Sequence, residues 1–397
     1  MGPSPCTVDG TQSPTGIMHI GHYAPKIGAE GGIATYIRRT GQAQKRRGHE
    51  VSYFGRDRDG SSSASAVRVP DDVALFSEAA ARGLDVLHLH KSVKTLPSDR
   101  IPTVRTMHGH QGGCPSGTRY LARSGRPCDR VYSLAGCLWG HVVDRCGSAR
   151  PHNVASNFAR IERELSQARR VPTYTVSNFL REQMVQAGCP SDQLRTIHSP
   201  APEKAGDFVP LPRATPPRFL YLGRLVPHKG LGWLLRAVAQ TSSSIRLEVA
   251  GNGPQFQEMK SLAHDLDVRS RVTFHGWVDS SRVPDLMRRA RAVVFPSLWH
   301  EPAGLVTLEA AAAGRPVIAS AVGGIPEYAT DAFAERVPPG DAEQLAARID
   351  ELARAPERAE RMGRRARRVA REQFSMESFV DCVHRFYHEI ADSSPSS

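Results

Sequence analysis

Apolar residues fall along this chain in two alternating rhythms. Compact runs rich in Val, Ile, Leu and Tyr at residues 16–23, 50–54, 85–90, 103–107 and 173–176 read as strands. The longer stretches between them read as helices, as where Ile33, Tyr36 and Ile37 recur at helical spacing behind a glycine turn at residues 28–32. Six prolines, Pro200, Pro202, Pro210, Pro212, Pro216 and Pro217, then interrupt the pattern, and proline disfavours helix interiors and central strands alike. Beyond them the rhythm restarts, with strand-like runs at residues 218–222, 245–250, 271–274, 292–295 and 316–319. This alternation predicts an α/β protein of two doubly wound domains, each a parallel sheet with helices on both faces. The expected divisions are residues 1–206 for the first domain, 207–217 for a Pro-rich linker and 218–374 for the second domain. Residues 375–397 are a C-terminal helix and tail, the helix expected to cross back to the first domain. Ligands of such sheets lie beyond the carboxyl ends of the strands, so two facing domains place the site in the cleft between them.

Chemistry concentrates after the run that ends at Phe295. There Glu301, Gly304, Leu305 and Glu309 precede and enter an Ala-rich segment, residues 305–313, that strongly favours helix, with Pro302 and Gly304 marking its start. A helix starting at the cleft offers free N–H groups and a positive dipole end to a diphosphate. Glu309, about two turns in, could accept from ribose hydroxyls, and Glu301 would face the group beyond the phosphate. Either glutamate taken alone reads equally well as a capping or solvated carboxylate.

Two glutamates with seven residues between them, Gly304-Leu305 inside that interval and the Ala-rich helix behind, resemble the signature of the family-4 retaining glycosyltransferases of the GT-B fold. The stretch Tyr221-Leu-Gly-Arg224 to Lys229-Gly230 resembles that family's basic loop, and Gly251-Asn-Gly253, Gly323-Gly324 to Glu327 and Gly31-Gly32-Ile33 match its other glycine turns. The resemblance implies two Rossmann-like domains, the first on the acceptor side and the second binding a nucleotide sugar. It implies that Arg224 and Lys229 hold the donor diphosphate, that His108 lies over the donor sugar, that Glu301 contacts that sugar and that Glu309 binds the ribose. Gly304 and Leu305 would supply backbone N–H groups, Val278 would border the base, and Gly31, Gly32 and Gly253 would shape the binding turns. The implied reaction moves a hexose or N-acetylhexosamine, UDP-linked as first choice, with retention. It uses no metal and no cofactor beyond the nucleotide-diphosphate sugar. The acceptor is a hydroxyl of a glycan, of a lipid-linked glycan or of a small molecule such as an aminocyclitol.

Two other readings compete. A cleft of this kind could bind a nucleotide sugar without turning it over. The stretch from Ser13 to His22 also resembles the His-Ile-Gly-His signature of class I aminoacyl-tRNA synthetases, but Pro25 follows where that pattern needs a continuing helix and no partner lysine-rich loop occurs.

Charge and cysteines refine this picture. The 397 residues carry 52 Lys+Arg against 40 Asp+Glu, a formal +12. Seven arginines between Arg358 and Arg371, and Arg38, Arg39, Lys45, Arg46 and Arg47, account for most of that surplus. In the former segment Ala359, Met362, Ala366 and Val369 recur at helical spacing, so the arginines read as the outer face of a packed helix, with an anionic membrane or glycan surface as the other reading and no nucleic-acid partner. No apolar run is long enough to span a bilayer, and the first residues lack the pattern of a secretory signal, which predicts a cytoplasmic protein, peripheral to the membrane at most. Four of the seven cysteines, Cys114, Cys128, Cys137 and Cys146, fall close together but are separated by 13, 8 and 8 residues, without a close Cys-x-x-Cys pair. That spacing reads first as isolated buried thiols in an acceptor-side insertion, with a structural metal or paired cysteines as the alternatives.

Overall fold

The computed structural model describes residues 16–27, 31–56, 66–95, 101–203 and 208–393. The first sheet has seven parallel strands: β1 (His19–Tyr23), β2 (Glu50–Gly55), β3 (Ala66–Arg68), β4 (Val86–Leu89), β5 (Thr103–Met107), β8 (Thr173–Thr175) and β9 (Leu194–Thr196). A two-stranded antiparallel hairpin, β6 (Tyr120–Leu121) and β7 (Arg126–Pro127), stands outside it. Strand order across the first sheet is β3-β2-β1-β4-β5-β8-β9. The second sheet has six parallel strands, β10 (Arg218–Leu222), β11 (Arg246–Ala250), β12 (Val272–Gly276), β13 (Ala292–Phe295), β14 (Val317–Ser320) and β15 (Ala334–Val337), in the order β12-β11-β10-β13-β14-β15.

Central strands follow the apolar runs because helices cover both of their faces. Every residue of β4, β5, β13 and β14 is buried. Besides the hairpin β6–β7, the strands that the pattern does not predict are β3, β9 and β15, each at a sheet edge and only three or four residues long, with a polar residue in each. An edge strand buries less, so its composition carries less signal.

The second domain packs two layers around its sheet. Leu234, Leu235, Val238, Ile349 and Leu352 cover one face, and Leu308, Ala311, Ile325 and Tyr328 cover the other. The helix Pro356–Glu372 buries Ala359, Met362, Ala366 and Val369 and leaves Arg361, Arg364, Arg365, Arg368 and Arg371 exposed. The last helix, Met376–Ser393, sets Phe379, Val380, Val383, Phe386 and Tyr387 into one cluster with Ile20, Val86, Val104 and Tyr174 of the first domain. A chain that has finished its second domain thus completes the core of the first.

Contacts across the cleft are specific. Glu327 accepts from the N–H groups of Asn178 (2.8 Å) and Phe179 (2.9 Å) and bonds His198 at 2.8 Å, so a second-domain carboxylate caps a first-domain helix. Tyr328 donates to the carbonyl of Val176 and accepts from the N–H of Ser199. Glu327 is therefore engaged in holding the two domains together.

The segment between β5 and the helix Pro151–Ala168 holds the four cysteines. Burial foremost, with Cys114, Cys128 and Cys137 adding to it, pushes the Cys146 thiol up to about 12, and no three of the four sulfurs come within 4.8 Å of one another. Cys137 is likewise raised by burial, with Cys114 and Cys128 adding to it. Among the described residues no helix is long and apolar enough to cross a membrane.

Candidate active site

The loops after β10 and β13 meet at the cleft. Gly230 has φ +78°, and a Cβ there would lie 1.7 Å from the carbonyl oxygen of Pro296, so a side chain at this position would force the loops apart. Their close approach sets Lys229 Nζ 2.6 Å from Glu301 Oε1, and the hydroxyl of Ser297 donates to the same oxygen at 2.7 Å. The ammonium also stands 5.0 Å from the ring centre of Trp299. Glu301 is buried, and its backbone is fixed from behind: Gly324 N–H donates to its carbonyl at 2.7 Å, and a Cβ on Gly323 would meet Glu301 N and O at 2.6 Å. Lys229 and Glu301, assigned by resemblance to diphosphate and sugar, are thus paired with one another.

His228, one residue before Lys229, is a member of the site that the sequence did not single out. Burial foremost, then the Lys229 and Arg224 cations, hold its pKa down to about 4, while Glu301 opposes them. All three charges therefore lie within electrostatic reach of one imidazole. Arg224 itself is exposed and lines a pocket of about 400 Å³ with Gly223, Gly251, Asn252, Trp277 and Val278. Gly253 closes the loop behind that pocket, packed so that a Cβ would lie 2.4 Å from the carbonyl of Leu225.

Gly304 opens the helix Leu305–Ala312, and its carbonyl accepts from the N–H groups of Thr307 and Leu308. The N–H groups of Leu305 and Val306 make no backbone hydrogen bond among the described residues. Glu309 is raised above the usual carboxylate range by burial, and Arg39 of the first domain opposes that rise. Gly31 and Gly32 stand at the N-terminus of the helix Gly32–Arg46, and among the described residues nothing lies within 4 Å of either Cβ position. The preceding part of that glycine turn, residues 28–30, lies outside the described residues, as do residues 13–15 of the synthetase-like stretch.

Across the cleft, histidines from neighbouring strand ends form a hydrogen-bonded line. Parallel register sets His22 of β1 opposite His88 of β4. Gln44 Oε1 accepts from His22 Nε2 at 2.8 Å, which leaves His22 Nδ1 as an acceptor for His90 Nε2–H at 3.0 Å. His90 Nδ1 then accepts from His108 Nε2–H at 3.0 Å. Burial is the main reason that these rings stay neutral, with His22 held down to about 4, His108 down to about 3 and His90 well below its ordinary value. The line fixes the tautomer of His108: the proton is on Nε2 and the lone pair on Nδ1, which bonds no other described residue.

His88 and His90 are both buried along this line. His22 belongs to a strand and serves this line, so it is not a phosphate-gripping residue at a helix start. His22, His88 and His90 bring ring nitrogens within 4.8 Å of one another, yet all six nitrogens have protein partners, those of His88 being Tyr387 and Thr106. The trio reads as a polar relay.

Comparison with known proteins agrees with this architecture. The family model "Glycosyl transferases group 1" matches residues 204–369 and "Glycosyltransferase Family 4" matches residues 30–204. The glycogen synthase of Mycobacterium tuberculosis is 33% identical over 180 residues, 44% of this chain and 43% of that protein. The chain spans about a quarter to a half of the length of the curated relatives it matches. Among solved structures, sucrose-phosphate synthase from Thermosynechococcus elongatus superposes with a TM-score of 0.71 at 22% identity, covering 95% of this chain and all (100%) of that one. The Anabaena protein HepE in complex with UDP superposes with a TM-score of 0.64 at 15% identity, covering 94% of this chain and 100% of that one. Two family models that abut at residue 204 and together span residues 30–369, over two parallel-sheet domains of the GT-B kind, place this chain in the family-4, group 1 glycosyltransferases.

Proposed function

We propose that this protein is a retaining glycosyltransferase that moves a hexose or N-acetylhexosamine from a nucleotide-diphosphate donor to an acceptor hydroxyl, with no divalent metal in the transfer step. The observation that carries this reading is the Lys229–Glu301 pair, 2.6 Å apart at the cleft beside the Arg224 pocket. In the reaction the anomeric C–O bond to the diphosphate breaks, the acceptor oxygen bonds the anomeric carbon on the same face, and its proton passes to the departing phosphate oxygen. Charge grows on the diphosphate as that bond breaks. Cations already fixed in a cleft stabilise this charge most where it develops, which is the task of Lys229 and Arg224. Glu301 holds Lys229 in place before donor binds and then turns its carboxylate to the sugar hydroxyls. Glu309 accepts from the ribose, the free N–H groups of Leu305 and Val306 meet the diphosphate, and His108 presents its Nδ1 lone pair to a sugar hydroxyl.

UDP is the first donor choice, in keeping with the Anabaena structure that contains it. A lipid-linked acceptor is favoured over a soluble one by the helix Leu134–Val142, where Leu134, Leu138, Trp139 and Val142 are exposed. Exposed Arg123, Arg126, Arg145 and Arg150 lie in the same segment and suit an anionic membrane surface. A panel of UDP-, GDP- and ADP-sugars scored by protection against thermal unfolding tests the donor reading, because a ligand that binds only the native state raises apparent stability. UDP-sugars are expected to protect most. Protection by none of the panel would contradict the proposal.

A further inference from the structure

We propose that Cys114, Cys128, Cys137 and Cys146 form a structural zinc site that shapes the segment facing the catalytic loops. This inference stands apart from the transfer reaction and survives its failure.

Contacts along the segment gather the four residues. Cys114 Sγ is 3.1 Å from Ser116 Oγ, which is 3.1 Å from Thr118 Oγ1, and Thr118 donates to the carbonyl of Cys146 at 3.0 Å. Next to Thr118, the carbonyl of Arg119 accepts from Cys128 N–H at 2.8 Å. His141 ties the remaining two: its Nδ1–H donates to the carbonyl of Cys137 at 2.8 Å and stands 3.7 Å from Cys146 Sγ. Among the described residues none of the cysteines is in a disulfide.

Two further observations point to a ligand at this cluster. His141 is fully buried, and with its proton on Nδ1 its Nε2 is a lone pair without a donor. That nitrogen and Ser116 Cβ both lie within 3.0 Å of the Cβ position of Gly147, so the orphan sits against the Ser116 side of the cluster. A histidine whose Nδ1–H is held by a backbone carbonyl has the tautomer that favours a metal at Nε2, so His141 can stand in for one thiol in the ligand set. The segment also has little core of its own, since Cys114, Pro115 and Tyr120 are its only buried apolar side chains between His110 and Pro151. Independent units with so little apolar burial rely on a cross-link or a metal, and this segment leans on the first domain mainly through Tyr132 and His141, which meet Phe158.

Four thiols around one centre suit zinc, which prefers tetrahedral sulfur ligation at about 2.3 Å. Sulfurs in such a site stand about 3.8 Å apart, whereas no three of these come within 4.8 Å of one another. Binding would therefore draw the segment inward, and the four thiol protons would leave to the buffer as the thiolates ligate. The consequence reaches the active site. Asp129, next to Cys128, bonds His300 Nε2 at 2.8 Å, one residue before Glu301, and Tyr120 stands 5.9 Å from His228, one residue before Lys229.

The test is metal analysis of the full chain purified with reductant, followed by cobalt(II) titration of the chelated protein. One zinc per chain is expected, with one equivalent of cobalt giving the thiolate charge-transfer and tetrahedral ligand-field bands. Cys128→Ser with Cys137→Ser should abolish both. Chelation of the wild type should also lower its thermal midpoint, reversibly on zinc return, which keeps the test valid where the variant does not fold. A folded wild-type protein that shows no thiolate–cobalt band overturns the proposal. So does alkylation mapping that finds these four cysteines in two disulfides.

Discussion

Replacing Lys229 with Met removes the ammonium and keeps a stem of similar length against Trp299. Glu301 then stays buried, at 6% side-chain exposure, with Ser297 as its remaining partner, while Lys229 itself is 22% exposed. Removing one partner of a fully buried pair costs about 3–5 kcal/mol, and exposed pairs contribute at most about 1 kcal/mol. With one partner one-fifth open to water, the expected loss lies between these limits, about 1–3 kcal/mol. Glu301→Gln in the same background removes the stranded charge, so the double variant should recover about 1–2 kcal/mol relative to the sum of the single losses. Urea unfolding of the four proteins, followed by circular dichroism and by Trp fluorescence, measures this coupling. Transfer activity should stay lost in all three variants, which separates the pair's structural role from its part in the reaction. Losses that add to within about 0.5 kcal/mol would refute the reasoning, because independent sites behave in that way.

Two further outcomes concern the buried imidazoles. His22 and His228 are held down to about 4 and His108, His110 and His384 down to about 3, so between pH 6.5 and 4 the unfolded chain binds protons that the folded chain does not. Stability conferred by these neutral rings is fully present above pH 6.5 and is lost as pH falls towards 4, by up to about 1.4 kcal/mol per pH unit for each ring; a stability that stays flat from pH 7 to 5 would contradict this. Gln44→Leu takes away the acceptor that orients the histidine line, at a cost of about 1–3 kcal/mol, and frees the His108 proton to move to Nδ1. Histidine-selective NMR should show the Nε2–H form of His108 in the wild type and a mixture in the variant, and an unchanged tautomer would remove the relay.

What could be read from the sequence follows from what lies close together along it. The central strands show as apolar runs because both of their faces are covered, and the Glu301-to-Glu309 signature is local to one loop and one helix. The rest depends on tertiary contacts. Lys229 and Glu301 are 72 positions apart, and nothing local announces their pairing. The histidine line needs the parallel register that aligns His22 with His88, together with Gln44 from a helix. The cysteine intervals lack the short pairs of familiar zinc motifs, and only the folded segment, through Thr118, Arg119 and His141, ties the backbones of these residues into one region. Tyr387 from the last helix bonds His88 across 299 positions, a link that no window of sequence could suggest.

Transfer of labelled sugar from a UDP-hexose or UDP-N-acetylhexosamine, measured for the wild type and for Lys229→Ala with product stereochemistry read by NMR, tests the central claim most directly. The account predicts an α-linked product from an α-linked donor and a loss of about 10²–10³-fold in rate for the variant, the size expected on removing one preorganised charge partner. Inverted product, or wild-type turnover by Lys229→Ala, would contradict it.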